Sequence, residues 1–254
     1  MWGPVSLQRA ARYPEIVVIL TGRAAGQWRR IRSIDGHTKT LVLSEPWDPI
    51  PDVGSLYSIF VWTLANATID GNTLIDNPNG IVIWDSCYNC TVANNILKSS
   101  RGILFRVVDQ IPDRSLYPEA RREHQVSINN KILHNTLSNT SGLRPAYITL
   151  DAEAFAPDNY RGLGMLNMQV AYNTVNSYAR DPSQTYDPKH NEISQEGLFP
   201  CFLFGPAPAK DPVTTVFRNV YFWGNSESTD GKYTASFGRY TSKACVTSSV
   251  PPSD

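Results

Sequence analysis

A short repeat constrains this chain more than any other feature. Asn66-Ala-Thr-Ile-Asp-Gly-Asn-Thr-Leu74 aligns without a gap on Asn89-Cys-Thr-Val-Ala-Asn-Asn-Ile-Leu97, 23 residues later. Its centre is an aliphatic residue, two residues, Asn, one residue and an apolar residue. That pattern returns as Ile132-Leu-His-Asn135-Thr-Leu137, Val170-Ala-Tyr-Asn173-Thr-Val175 and Val216-Phe-Arg-Asn219-Val-Tyr221. The Asn-to-Asn steps of 23, 40, 38 and 46 residues describe a 23-residue unit with insertions in its later copies. A second pattern lies between the first ones. Gly80-Ile-Val-Ile-Trp-Asp85 is answered 22 residues on by Gly102-Ile-Leu-Phe-Arg-Val107, and more loosely by Ala146-Tyr-Ile-Thr-Leu-Asp151.

Strands this short cannot bury a face alone, but stacked coil on coil they form parallel sheets around one continuous core. Asn suits one place per coil because it tolerates left-handed backbone at a corner. Its amide can also bond the equivalent Asn of the next coil.

On these units the chain, over about residues 62–226, resembles the right-handed parallel β-helix repeats of pectate-lyase-like proteins. Those include polysaccharide lyases, glycoside hydrolases, epimerases and phage tailspikes. The resemblance implies an all-β chain, a right-handed parallel β-helix (solenoid) preceded by a β-hairpin module, and a carbohydrate ligand. Ala25-Gly-Gln-Trp-Arg-Arg30 with Glu45-Pro-Trp-Asp48 resembles a small β module found attached to β-helix and phage structural proteins. The expected organisation is an N-terminal module or cap at 1–61, the solenoid at 62–226, and a C-terminal cap and tail at 227–254. In the module, Glu15 to Leu20 reads as a strand. Trp28, Ile31 and Ile34 are candidates for an inner face, Asp35-Gly36-His37 for a turn, and Arg29, Arg30 and Arg32 for a solvated face.

Composition narrows the function. With 23 basic and 23 acidic residues the net charge is zero, which argues against a nucleic-acid or anionic-membrane binder. No apolar run reaches the roughly 18 residues of a membrane span. No signal peptide is read near the start, so either a cytoplasmic protein or a chain beginning after its export signal is expected. The carbohydrate reading favours the second, an extracellular or cell-surface location. Cys87 and Cys90 form a single CxxC, while Cys201 and Cys245 stand alone. With no second CxxC to complete a zinc site, the pair reads first as buried or corner thiols. A disulfide and metal ligation remain the other options.

Aligning the second pattern places Asp85, Val107 and Asp151 on one line, with Trp84, Arg106 and Leu150 beside it. At about 4.8 Å per coil, Asp85 and Asp151 would lie roughly 10 Å apart, near the long end of the spacing used by inverting glycosidases. Asp151 and Glu153 are the leading acid/base candidates, with Asp85 or Asp109 opposite. Paired carboxylates allow one group to protonate a leaving oxygen while the other activates water. Arg106 would tune or bind. Trp84, Tyr147, Phe155, Tyr160 and His124 are the further substrate-binding candidates, since aromatic faces stack on sugars. Each has a plainer reading. Asp at a strand end forms turns with its own backbone, Arg106 can form a surface ion pair with Asp109, and aromatics fill cores.

The expected function is therefore a glycoside hydrolase acting on a polysaccharide or oligosaccharide, without cofactor or metal. A calcium-dependent lyase or epimerase is one alternative, and a non-catalytic carbohydrate-binding or structural β-helix another. Exposed solenoid ends need cover, so an oligomer is an open expectation.

Overall fold

The computed structural model describes residues 15–77, 79–100, 102–110, 123–138, 148–154, 163–176, 202–206, 215–228 and 236–237. All regular elements among them are strands. The first four, β1 (Ile16–Ile19), β2 (Trp28–Asp35), β3 (Thr40–Leu43) and β4 (Tyr57–Phe60), form an antiparallel sheet in the order β3-β2-β1-β4. A strand bulge between Ile31 and Ser33 keeps Ile34, paired with Leu41, on the face of Ile31, which pairs with Leu43. Ile31 is buried, but Ile34, expected on the inner face, lies toward the hairpin turn and is 41% exposed. Arg29 is a structural clasp in this module. Its guanidinium lies over Trp47, 5.0 Å from the ring centroid, and donates to Pro46 O and Gln27 Oε1.

The chain then winds through five coils among the described residues. The first holds β5 (Leu64–Ala65), β6 (Thr68–Asp70), β7 (Thr73–Ile75) and β8 (Ile81–Trp84). The second holds β9 (Cys87–Tyr88), β10 (Thr91–Ala93), β11 (Ile96–Lys98) and β12 (Ile103–Gln110), and β13 (Glu123–His124) returns antiparallel to the end of β12. The third holds β14 (Val126–Ile128), β15 (Lys131–Leu133), β16 (Thr136–Ser138) and β17 (Ile148–Ala154). In the fourth and fifth the first two short strands merge. These coils are β18 (Leu163–Ala171), β19 (Thr174–Asn176) and β20 (Phe202–Pro206), then β21 (Thr215–Trp223), β22 (Ser226–Ser228) and β23 (Ser236–Phe237).

Equivalent strands pair in parallel from coil to coil and build three faces. Face one contains β5, β6, β9, β10, β14, β15, β18 and β21. Face two contains β7, β11, β16, β19 and β22. Face three contains β8, β12, β17, β20 and β23. The fold is thus a parallel β-helix. Alternation decides what points in: on β8, Ile81 and Ile83 are buried while Val82 and Trp84 are exposed. Val92, Leu97, Phe105, Ile132, Leu137 and Ile148 line the same core. A second core lies outside face one. There Ile16, Val18, Leu20 and Phe60 of the antiparallel sheet pack on Val126, Ile128 and Leu166. This is why β14 is buried on both faces.

Two asparagine ladders hold the corners, and they divide the two properties that make Asn suitable. The outer one contains Asn66, Asn89, Asn129, Asn167 and Asn219, all with φ between 52° and 56°. Asn89 donates to Asn66, Asn167 to Asn129, and Asn219 to Asn167, each at 2.8–2.9 Å. The inner one contains Asn72, Asn95, Asn135, Asn173 and Asn225, each Nδ2 donating to the next Oδ1 at 2.9 Å. Here the left-handed residue stands one place earlier: Gly71, Asn94, His134, Tyr172 and Gly224. The fifth copy is therefore corrected from Asn219 to Asn225. Phe222, not Val216, pairs with Val170 in β18, so the last step is 52 residues.

Candidate functional site

The expected polysaccharide site lies on the outward row of face three. β12 pairs with β8 and β17 so that Trp84, Arg106 and Asp151 form one rung. The expected line Asp85–Val107–Asp151 is corrected by one position. Ile148 aligns with Ile81 and Ile103, where Tyr147 had been placed, and a one-residue slip exchanges the two faces of a strand. Leu150 therefore points into the core with Ile83 and Phe105, while Asp151 joins Arg106 outside.

The rung is closed on itself. Arg106 Nε lies 3.4 Å from Asp151 Oδ2, and the two residues are 7% and 9% exposed. The guanidinium sits 4.7 Å from the Trp84 ring centroid. Asp85 is a corner residue with φ 75°, and its Oδ1 accepts a 2.7 Å bond from Gln125 Nε2.

The remaining candidates are placed through the backbone. Glu153 pairs with Val108, and Asp109 with Ala154 and, across the return strand, with His124. Glu153 and Asp109 are thus one position out of step along adjacent strands. Tyr147, Phe155 and Tyr160 lie outside the described residues.

A different constellation lies inside face one, on either side of the outer Asn corner. Two inward rows stack coil by coil: Leu64 and Ala67, then Cys87 and Cys90, then Ser127 and Asn130, then Met165 and Met168. All but the first two are essentially fully buried. Ser127 Oγ lies 2.9 Å from Cys87 Sγ and accepts from Asn130 Nδ2 at 2.8 Å. Asn130 Nδ2 also points at Met168 Sδ, 3.6 Å away. Cys90 N donates to Asn130 Oδ1 at 2.8 Å. The two thiols contact one another. Burial pushes the Cys87 thiol well up, and the bond from Cys87 brings Cys90 down to about 6. Both cysteines are free.

This pair of soft donors is the set among the described residues with the chemistry to hold a metal. Thiolates suit soft ions, copper(I) above all. No three His, Cys, Asp or Glu side chains converge among the described residues, so a full tetrahedral zinc set is absent there. The sequence signal was the CxxC itself. What it could not show was that Ser127 would reach the Cys87 thiol and that Asn130 would bond the backbone of both cysteines.

Comparison with known proteins bears on the same span. The family described as "Periplasmic copper-binding protein (NosD)" matches residues 52–146. The match is to a copper-binding family. It covers the first two coils and enters the third, and both cysteines of the pair fall within it. No curated protein and no solved structure matches the chain. The expectation of a glycoside hydrolase is corrected by this result, since the family is named for metal binding and not for cleaving sugars. Nor does the match support the expectation that the chain works without a metal.

Proposed function

We propose that this chain is a non-catalytic parallel β-helix that binds copper outside the cytoplasm. The observation that carries the reading is a coincidence of position. The stretch resembling periplasmic copper-binding proteins is the stretch that places two free thiols side by side in the core. The fold suits the role. A solenoid presents a rigid interior in which side chains from successive coils are held at fixed spacing. Thiolates inside it are surrounded by hydrogen-bond donors and by apolar packing, which excludes harder ligands such as water.

The test is copper binding by the purified full chain. Anaerobic titration with Cu(I), and separately with Cu(II), is expected to give a stoichiometric complex. A panel of neutral and acidic polysaccharides is expected to yield neither reducing ends nor unsaturated products. Cleavage of any of them, with no copper bound, would overturn the proposal.

One observation favours a second reading, saccharide binding without cleavage. Trp84 keeps 40% of its surface in solvent beside Val82, at 37%, giving an aromatic-aliphatic ledge on face three. Retention of the protein on a polysaccharide gel, abolished in Trp84→Ala, would support it.

A further inference from the structure

We infer that copper is held as Cu(I) between the Cys87 and Cys90 thiolates, in the second coil of the solenoid. This deepens the copper-binding reading and rests on it. Three observations converge on the site.

The first is the donor set. Two sulfurs from one tight corner, with no third charged or imidazole ligand beside them among the described residues, match a soft monovalent ion of low coordination number. Zn²⁺ and Cu²⁺ call for more ligands or harder ones. A bis-thiolate holding Cu(I) carries one net negative charge.

The second is the support for that charge. Ser127 Oγ reaches Cys87, and Asn130 Nδ2 is fixed against Ser127. The Ala67 amide, on the coil above, points at Cys90. Asn130 fixes the corner backbone, accepting from Cys90 N and donating to Cys87 O as the ladder asparagines do, and its bond to Ser127 holds that hydroxyl against Cys87 Sγ inside the buried core.

The third is access. On faces one and two the inward residues of coil 1, Leu64, Ala67, Ile69 and Leu74, are only partly buried, while Ile81 and Ile83 on face three are buried. The equivalents of Ile69 and Leu74 one coil down, Val92 and Leu97, are 0% exposed. Cys90 lies directly beneath Ala67, the smallest of these inward residues. An ion therefore crosses a single thin layer to reach the thiols, whereas Met165 and Met168 lie two coils deeper. Binding releases the thiol protons and forms two S–Cu bonds with no change in oxidation state.

The test uses the full chain carrying Cys201→Ser and Cys245→Ser, which removes the two thiols outside the described residues. The reduced protein competes for Cu(I) against a chromogenic chelator. One equivalent is expected to bind. Losing a partner around a metal ligand already costs about 10–100-fold, so Cys87→Ala and Cys90→Ala are each expected to weaken binding more than about 100-fold. Met168→Leu preserves core volume and is expected to keep affinity within a few-fold, which separates ligand loss from general disturbance of the core. Circular dichroism confirms that each variant keeps its strands. If Cys90→Ala binds copper as tightly as its parent, the site is wrong and the copper-binding reading survives. If the parent binds neither Cu(I) nor Cu(II), both fall.

Discussion

Two rows of side chains carry the polar groups of this solenoid, and they differ in what those groups are left to do. On the outside of face three, Trp84, Arg106 and Asp151 satisfy one another: ring to guanidinium, guanidinium to carboxylate. On the inside of face one, Ser127 and Asn130 stack beneath two free, buried thiols, with Ser127 Oγ 2.9 Å from Cys87 Sγ. The outer row contains the residues a glycosidase would use, and its charges are matched within the row. The inner row looks like packing in the sequence, yet it holds the unspent chemistry. Residue type alone therefore does not identify a site. What matters is whether the neighbours have already used the residue's reactive group.

That contrast can be broken by mutation, and the largest effect belongs to the outer row. Asp151→Ala leaves the Arg106 cation buried without this partner, and breaking such pairs costs about 3–5 kcal/mol. A fall of that size in urea-unfolding stability, with Cu(I) affinity unchanged, is the expected result. A stable Asp151→Ala protein that loses copper would reverse the assignment of the two rows.

The next effect measures how tightly the interior constrains its polar groups. Asn135 Nδ2 donates to Val92 O, Leu133 O and Asn173, while its Oδ1 accepts from Asn95 N and Nδ2. Asn135→Ala strands several of these, and each buried unsatisfied group costs about 1–3 kcal/mol. A loss of about 3 kcal/mol is expected by chemical denaturation. Asn72→Ala, in the exposed first coil, is expected to cost under about 1 kcal/mol. Equal losses would mean that the first end is as closed as the middle, and the proposed access to the thiols would be lost with it.

Trp84→Ala is the smallest. The Trp84 ring is 40% exposed while the Arg106 cation is buried, so the contact contributes about 1 kcal/mol, between the exposed and desolvated values, and a loss of that order in unfolding free energy is expected. A much larger loss would mean the rung is buried under further structure and offers no ledge to a saccharide.

The fold was readable because it is periodic. The 23-residue offset from Asn72 to Asn95 gave the coil, and alternation in Ile81-Val82-Ile83-Trp84 gave the inside and outside of a face. Where the chain is irregular, the reading slipped. Aligning Tyr147 with Ile81 moved Asp151 to the wrong row, because insertions before β17 hide the register and a single-residue error exchanges faces. Asn219 was taken for Asn225 because both ladders use the same residue type at nearly the same spacing. The thiol site was half legible. CxxC was visible at once, but its partners Ser127 and Asn130 come from the next coil, 40 residues on. Only the coil register brings them together.

The most direct measurement is X-ray absorption at the copper edge of the full chain loaded with one equivalent of Cu(I). The account predicts a monovalent edge and a first shell of sulfur alone, lost in the Cys87→Ala/Cys90→Ala double variant. A shell of nitrogen or oxygen, unchanged in that variant, would place the metal elsewhere and contradict the assignment of the inner row.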